Sequence, residues 1–488
     1  MRAAIPIVEQ IDVAVPRVER AEIESLAKKR AVKEPDLSSI AHFGPGVQSG
    51  LESGPALLIE DRSEITLSKE PEESALGYRL SLLADSNDLL VLSGSRCAAF
   101  ETYLADLLGI GPFDVLIAKN PNLGRKYPLP RRCIEQAEIL RHIAEVARSA
   151  GQLSIVPYAA TGHVWALAKS IAEASDARVF IAAPPPRLCR RVNDKLWFAE
   201  CVKELFGQEA HSPFRSAFGP AALAARVRDL ARNRQRVVIK VPDSSGSAGN
   251  LVLAFEDLRD AHLPDLRSRL IRLLKSFGPD WHFPLEVEVW ESPVISSPSV
   301  QVWIPHRRER APILEGAFEQ VVEGDQGEFV GAIRAHLPQE WRERLACQAT
   351  CLATLFQELG YFGRCSFDAV IAGDSYDSAK LHWIECNGRW GGVSIPMTFS
   401  NRLGAAVSES EIMIVQRSRF EVPPRPFRDV LSLFADILFT PGKSTEGIVP
   451  LTPAGFERGT GVHFMTIAGS LERAKDIAKQ ALDRITER

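Results

Sequence analysis

Three features are missing from this sequence, and each absence excludes a class of function. No apolar run approaches the ~18 to 20 residues that cross a bilayer, and the N-terminus lacks the apolar centre of a secretion signal. Neither sign of charge is in marked excess, because 58 basic residues face 62 acidic ones, so nothing indicates a nucleic-acid or membrane surface. The eight cysteines form no Cys-x-x-Cys pair and no zinc-spaced cluster with histidine. We therefore expect a soluble cytoplasmic protein with reduced thiols.

The length of the chain allows two or three domains. It has 488 residues, 45% of them apolar, and a domain commonly takes about 100 to 200 residues. Residues 1–60 carry many Glu, Pro and Ser with little periodicity, and we interpret them as an arm or irregular cap. Across 61–187, short apolar strands alternate with helices, which predicts an open α/β domain with a mostly parallel sheet.

Two proline clusters indicate the remaining boundaries. The prolines at 184–186 precede a helix headed by Asn193, Asp194 and Lys195, and a second cluster begins at Pro423. We therefore predict a mixed α+β region at 188–422 and a small α+β domain at 423–488. The elements predicted in that last domain are strands at 430–439 and 461–468 and a helix at 470–484.

A group of polar residues follows a predicted strand at 381–384. Glu385 and Asn387 are two residues apart, so alternation along a strand places them on one face. Their oxygens can hold one or two magnesium ions together with nucleotide phosphates. Arg389 continues the face and can contact the same phosphates or a substrate carboxylate. Taken alone, the pattern is more often a solvated strand end with a turn at Gly388, so its context decides.

A second strand supplies part of that context. Residues 364–371 read as a strand that pairs with 381–385 through a polar turn, and this hairpin brings Asp368 close to Glu385 and Asn387. Three oxygen donors on adjacent strands predict a site for a divalent metal.

A third element lies upstream, where a β-branched strand ends at Lys240 and leads into a loop of small residues. The loop residues of interest are Ser244, Ser245, Gly246, Ser247 and Gly249. Small side chains let backbone N–H groups approach phosphate oxygens, and the strand lysine supplies a fixed positive charge. Loops of this kind are usually structural when they occur alone, and the residue order of a Walker P-loop is absent.

In this order along the chain, the residues resemble the ATP-grasp superfamily over about residues 190–410. The resemblance implies that ATP lies between two α+β subdomains and that an amine attacks an acyl phosphate. The implied roles are phosphate contacts from Lys195 and Lys240, metal ligands at Asp368, Glu385 and Asn387, and catalysis by Arg389 together with Lys240.

The same resemblance assigns the loop at 244–250 to a mobile cover over the phosphates. It also makes the acid-rich stretch at 285–291 the hinge between the subdomains, where Glu288 holds the ribose and the Trp290 backbone contacts adenine. The loop has only two glycines and no arginine stands two residues before Asp368, so D-alanine-D-alanine ligases are poor substrate models.

Further motifs resemble the pheganomycin-type peptide ligases, namely those at 182–195, 360–368 and 385–396. That resemblance implies a pre-ATP-grasp α/β domain, a two-subdomain ATP-grasp core with its hinge near 286–291, and a small C-terminal α+β domain. It implies an ADP-forming ligase that joins an amino-acid-like carboxylate to an amino acid or peptide in natural-product biosynthesis. The implied cofactors are ATP and one or two Mg²⁺ ions, for which Mn²⁺ can substitute. The predicted partners are these small molecules, and neither nucleic acid nor a membrane is expected. Whether the protein forms a homodimer is left open.

Two other functions stay open at this point. One is an ATP-grasp carboxylase, which would require bicarbonate. The other is a catalytically silent ATP-binding scaffold, against which the intact Lys240, Asp368, Glu385, Asn387 and Arg389 argue.

Overall fold

The N-terminal domain alternates strands and helices. The computed structural model describes residues 17–68, 77–120, 127–232, 236–246, 248–254, 256, 258, 261–278, 280–404 and 407–487. In chain order the first elements are α1 (Arg17–Lys33), β1 (Val47–Ser49), β2 (Ala56–Ile59), β3 (Leu67–Ser68), β4 (Leu89–Leu92), α2 (Ala98–Asp106), β5 (Asp114–Ile117), α3 (Leu129–Glu135), α4 (Ala137–Ala150), β6 (Gln152–Pro157), α5 (Gly162–Ser175), β7 (Arg178–Ile181) and α6 (Pro186–Asn193). Six strands form a parallel sheet in the order β1-β7-β6-β2-β4-β5, which confirms the predicted α/β class.

The arm predicted at 1–60 needs correction, because β1 and β2 belong to this sheet. Strand β2 pairs with both β4 and β6, and all four of its residues are buried. A buried strand of four residues is too short to show a period of its own, and the pairing partners that define it lie far away in sequence. The predicted boundary at 187 likewise falls inside helix α6.

A small second unit follows. Its elements are α7 (Lys195–Phe206), β8 (Phe214–Ala217), α8 (Pro220–Ala231), β9 (Arg236–Lys240), β10 (Ser244–Ser245), β11 (Asn250–Ala254), α9 (Leu263–Leu274) and β12 (Leu285–Val289). Four of these strands form an antiparallel sheet in the order β11-β9-β12-β8. Leu223 from α8 and Leu266 and Leu270 from α9 share a core with the strand residues Ile239 and Val287. This sheet is the smaller of the two subdomains that the sequence predicts.

The third unit is a large antiparallel sheet. Its elements are β13 (Val294–Ser296), β14 (Pro298–Ile304), β15 (Ile313–Glu323), β16 (Glu328–Arg334), α10 (Gln339–Glu358), β17 (Gly363–Ala372), β18 (Lys380–Asn387), α11 (Ser394–Arg402), β19 (Glu411–Glu421), α12 (Phe427–Leu433), β20 (Gly447–Pro450), α13 (Ala454–Arg458), β21 (Thr460–Ala468) and α14 (Leu471–Thr486). The strand order is β13-β17-β14-β15-β16-β19-β21-β20, and β18 pairs with β17.

The separate C-terminal domain predicted at 423–488 is not a separate sheet. Strand β21 pairs with β19 along most of its length, so the boundary at 422 divides two neighbouring strands. The strand predicted at 430–439 is also wrong, because that segment begins inside helix α12. A short apolar run does not by itself distinguish a strand from a buried helix, and here packing decided.

The C-terminal segment packs against the N-terminal domain. The ring of Phe427 lies 5.0 Å from that of Phe100 and 5.7 Å from that of Tyr103, both on α2. One buried cluster therefore contains residues of the parallel sheet, such as Leu58, and residues of the large sheet, such as Phe464. This packing holds the carboxyl ends of β2 and β6 beside the large sheet. Within the described ranges, no helix combines the length and apolar character needed to cross a bilayer.

Candidate functional site

The hairpin of β17 and β18 brings the three predicted metal ligands together. Asp368 lies opposite Glu385 in the ladder, and the Nδ2 atom of Asn387 donates to Oδ2 of Asp368 over 2.9 Å. A bulge follows, since the next paired residues are Ala369 and Trp383. On the neighbouring strand β14, the Ser299 hydroxyl donates to Oδ1 of Asp368 over 2.6 Å. The predicted pairing of the two strands is therefore present.

The two carboxyls of this hairpin differ in their proton affinity. Burial, and then the charge of Glu385, raise the pKa of Asp368 to about 7, although the Ser299 hydrogen bond opposes the shift. Burial also acts to raise the pKa of Glu385, but the attraction of Lys195, followed by Lys240 and Arg389, lowers it below the ordinary value. Two acids that repel each other next to an amide oxygen form a donor set suited to a hard divalent cation, whose charge would favour ionisation of both.

Lys195 connects the hairpin to the predicted phosphate loop, residues 244–250. Asp194 caps helix α7 by accepting from the backbone N–H of Leu196 over 3.0 Å, and this cap fixes where Lys195 leaves the helix. The buried Nζ atom lies 2.9 Å from Oε2 of Glu385 and donates to Oγ of Ser244 over 3.3 Å. One cation thus contacts both a predicted metal ligand and the predicted phosphate loop.

Lys240 forms a buried ion pair with Glu288 in the small sheet. Burial acts to lower the pKa of Lys240, but the charges of Glu288 and Glu286 raise it above its usual value. Strand β12 carries both acids, and it lies between β9 and β8 in the interior of the sheet. Because side chains alternate along a strand, both acids lie on the face opposite Leu285 and Val287, which belong to the core of the small unit.

Glu286 is a site residue that sequence reasoning missed. It lies opposite Lys240 in the ladder, it is fully buried, and neither carboxylate oxygen has a hydrogen-bond partner within the described part of the chain. Burial, and then the charge of Glu288, raise its pKa to about 8. Its position two residues before Glu288 was the available signal, because alternation places both on one face.

The hinge prediction concerns Trp290, which follows β12. Its backbone N–H donates to the carbonyl of Arg236 over 3.2 Å. A side chain at Gly327, in the turn between β15 and β16, would approach the Trp290 ring to 2.7 Å. Trp290 therefore lies where the small sheet meets the large one, and its contact with adenine stays a prediction.

The predicted phosphate loop is attached to the N-terminal domain. Ser244 and Ser245 pair in parallel with Leu67 and Ser68 of β3. The Thr66 hydroxyl donates to Oδ2 of Asp243 over 3.2 Å. No local pattern in the sequence shows this pairing, because its partners are about 177 residues apart.

The remaining loop residues fit close backbone approach. Gly246 has a φ of +60°, and a Cβ atom at Gly249 would lie 2.6 Å from Oγ of Ser244, so a larger residue does not fit there. Ser247 lies outside the described residues.

Arg389 is fixed at the end of β18. Its Nη1 atom donates to Oδ1 of Asn193 over 2.6 Å, and the Gly388 N–H donates to the same oxygen over 3.0 Å. Burial acts to lower the pKa of Arg389, but Tyr158, Glu385 and then Asp243 raise it. The chain at Arg389 also forms a bridge with Ala159 of the N-terminal domain. Asn193 is thus a positioning residue that the sequence placed only at the head of a helix.

A cavity of about 140 Å³ opens beside these residues. Asp368, Glu385, Asn387, Arg389 and Gly246 line one part of it. Its other walls include residues that the sequence did not indicate, among them Arg62, Tyr158, Gln301, Gln320 and Gln416. Lys240, Glu288 and Trp290 do not line it and lie in the small sheet or directly after it.

Comparison with known proteins addresses the fold. A family model described as the pre-ATP-grasp domain matches residues 77–173. A search of curated protein sequences finds no match to this chain. One similar solved structure is an N5-carboxyaminoimidazole ribonucleotide synthetase in complex with ADP, with 11% identity and a TM-score of 0.52 over 90% of this chain and 99% of that one.

Two further structures have similar scores. The biotin carboxylase of Campylobacter jejuni in an ATP complex has 13% identity and a TM-score of 0.52, over 88% of this chain and 91% of that one. The other is the biotin carboxylase domain of 2-oxoglutarate carboxylase from Hydrogenobacter thermophilus, in complex with MgADP, ADP and bicarbonate. It has 13% identity and a TM-score of 0.50, over 88% of this chain and 89% of that one. The chain therefore has the ATP-grasp fold together with a pre-ATP-grasp domain, as its resemblance implied.

Proposed function

We propose that this chain is an ATP-dependent ligase that joins a carboxylate to an amine and releases ADP and phosphate. The observation that carries the proposal is the contact of Lys195 with both Glu385 and Ser244. It connects a set of oxygen donors suited to a metal with a small-residue loop suited to phosphate. This arrangement could bind a metal-nucleotide complex, with the metal at the oxygen donors and the phosphates at the loop.

The residues present fit that complex. Asp368, Glu385 and Asn387 would hold one or two magnesium ions, with Mn²⁺ as a substitute, and the metal would neutralise phosphate charge when bound. Glu286 supplies a second argument: it lies beside Lys240, and among the described residues neither of its buried carboxylate oxygens has a hydrogen-bond partner, which leaves capacity for a ligand. Glu288 and the Trp290 backbone are proposed for ribose and adenine.

The proposed reaction requires positioning more than covalent work by the protein. A carboxylate oxygen of the donor bonds to the γ-phosphorus, the bond to the β-phosphate oxygen breaks, and ADP leaves. The neutral amine then bonds to the carbonyl carbon, phosphate leaves, and the nitrogen releases a proton. Lys195 and Lys240 hold the phosphate charge, and Arg389 stabilises the charge on the transferring group. The loop at 244–250 would exclude water, which otherwise hydrolyses the acyl phosphate.

The finer assignment rests on the motifs that resemble pheganomycin-type ligases. We propose amino-acid or peptide substrates in cytoplasmic natural-product biosynthesis. A bicarbonate-using carboxylase is the second candidate, because one solved structure of similar fold holds bicarbonate with MgADP.

An ADP-release screen tests the proposal. The protein with MgATP is mixed with pooled amino acids, N-acetyl amino acids, dipeptides and guanidino acids, each alone and in pairs, and separately with bicarbonate. The ligase should release ADP above background with a suitable pair of a carboxylate and an amine, whereas an N-acetyl amino acid alone, which carries no free amine, should give only background release. Glu385→Ala should abolish the release, whereas Asp374→Ala, in the exposed turn of the same hairpin, should not.

Two results would decide against it. Equal ADP release by the wild type and Glu385→Ala, or no release with any pair, would contradict the ligase. Release that depends on bicarbonate would favour the carboxylase.

A further inference from the structure

The cavity beside the metal-type site, by which we mean Asp368, Glu385 and Asn387, has a wall of side-chain amides. Gln301 on β14, Gln320 on β15 and Gln416 on β19 come from three strands of the large sheet and line the same cavity. We call these three residues the amide wall. Each amide offers both a donor and an acceptor, so the wall can pair with neutral polar groups such as amides and hydroxyls.

The orientation of two of these amides is fixed. Gln301 is buried, and its Nε2 atom donates to Oγ of Ser299 over 3.0 Å, while that hydroxyl donates to Asp368. The buried Arg79 donates to Oε1 of Gln416 over 2.9 Å and to the carbonyl of Gly392 over 3.0 Å. A larger residue at Gly392 would displace Gln416, because a Cβ atom there would lie 2.6 Å from Oε1. The wall is therefore preorganised and is connected to the hairpin.

The charges around the cavity disfavour the binding of a further ammonium group. Arg62 and Arg389 line it, and Arg62 is paired with Glu60 over 3.0 Å. Among the described residues that line it, the only carboxylates are Asp368 and Glu385. Both are already engaged, Asp368 by Ser299 and Asn387 and Glu385 by Lys195. An ammonium entering the cavity would lie near the guanidinium group of Arg389 and find both lining carboxylates already paired, and a desolvated charge without a partner is costly.

We infer that the amide wall binds the carboxylate donor, and that this donor carries an acylated, uncharged nitrogen. The inference rests on the proposed function and adds the substrate class. The donor carboxylate would lie near Arg389 and the metal-type site, and its N-acyl amide would contact the wall. An N-acyl amino acid or N-acyl peptide fits, whereas a free zwitterionic amino acid does not. The free amine of the reaction then belongs to the acceptor.

Hydroxylamine trapping tests the donor without an acceptor, because hydroxylamine displaces phosphate from the acyl phosphate and leaves a hydroxamate. Glycine, alanine and phenylalanine are compared with their N-acetyl forms and with N-acetyl dipeptides, all with MgATP. The N-acetyl acids should give at least about tenfold more hydroxamate than the free amino acids, a factor that one well-placed charge or hydrogen bond can supply.

A carboxylate placed in the wall should reverse the preference. Gln320→Glu has nearly the same shape and should shift the ratio toward free amino acids by about tenfold or more. Gln208→Glu makes the same change at an exposed residue that does not line the cavity and should leave the ratio as in wild type. Equal use of free and acylated donors, no hydroxamate from either set, or an unchanged ratio in Gln320→Glu would each overturn the inference.

A thermal shift with MgADP distinguishes failure of the substrate assignment from failure of the proposed function. If MgADP stabilises the protein but the donor preference is absent, the substrate assignment is wrong and the proposed ligase stands. If MgADP does not stabilise the protein and no hydroxamate forms, the proposed function itself has failed.

Discussion

The Nζ atom of Lys195 lies 2.9 Å from Oε2 of Glu385 and 3.3 Å from Oγ of Ser244. The lysine is buried at the first residue of α7, the acid stands near the end of β18, and the serine belongs to the phosphate loop. The ammonium group of Lys195 therefore contacts two segments that are distant from it in sequence. Removal of that charge should affect the metal-type site and the loop together.

We predict that Lys195→Met raises the KM for ATP by at least about tenfold, because a buried charge-assisted contact contributes roughly 1.5 to 3 kcal/mol. It should also raise the pKa of Glu385, since Lys195 is the largest influence that lowers it. The acid limb of the pH-activity profile should then move to higher pH. The matched control is Lys380→Met, which breaks the exposed pair with Glu209 over 2.9 Å. The same KM and profile in both variants would refute the role of Lys195.

The hairpin acids should control metal binding rather than folding. Asp368→Asn keeps the hydrogen-bonding shape but removes a ligand charge, so the Mg²⁺ concentration for half-maximal activity should rise by about tenfold or more. Thermal unfolding without metal should change little or improve, since the variant removes repulsion with Glu385. Asp374→Asn, in the exposed turn, serves as the control. A magnesium titration that does not differ between these two variants would argue against the site.

Glu286 should make the protein less stable as the pH rises. Its pKa is about 8 in the fold against an ordinary value of 4.5, so the folded state binds more protons between those values and stability falls with increasing pH. Glu286→Gln removes this ionisable carboxyl and should stabilise the protein at pH 8 by roughly 1 to 3 kcal/mol. At pH 4.5 the two proteins should differ little. Denaturant unfolding at the two pH values measures the effect, and a constant difference would contradict the assignment.

His211 should make the protein less stable as the pH falls. Burial is the main cause that lowers its pKa from 6.5 to about 4, and its Nδ1 atom lies 2.8 Å from the carbonyl of Ser212. Between those pH values the unfolded chain binds the extra proton, so stability is lost as the pH falls, by up to about 3 kcal/mol.

His211→Gln should flatten this loss between pH 6.5 and 4. The comparison is His336→Gln, which alters an exposed histidine whose Nε2 atom lies 3.3 Å from Glu411. Unfolding free energies measured at both pH values decide the matter. An equally steep loss in His211→Gln would show that another group is responsible.

The candidate site shows how far local sequence information reaches. The hairpin could be predicted because its turn and its two strands are adjacent in sequence, and period-two alternation then placed Asp368, Glu385 and Asn387 together. The start of α7 could be predicted because Asp194 is a local cap. Arg62, Tyr158 and the amide wall could not, since each comes from a strand or strand end whose neighbours are set by long-range pairing.

The domain boundaries failed for the same reason. Proline clusters interrupt secondary structure along the chain, but the segments on either side of such an interruption can still belong to one sheet. Strand β21 returns across such a break to pair with β19, and strand β2 enters the parallel sheet from a segment without visible periodicity. Pairing between strands depends on backbone hydrogen bonds to distant segments, which composition does not record.

By itself, then, the sequence determined which chemical groups are available to a site and how neighbouring residues are arranged locally. The residue types and their spacing decide which side chains can ligate a metal, contact phosphate or cap a helix. The tertiary structure alone decided that Lys195 joins the hairpin to the loop, that Leu67 and Ser68 pair with that loop, and that three glutamines form one wall. These relationships are set by the packing of three sheets, because burial and pairing across many residues place charges that no local pattern can locate.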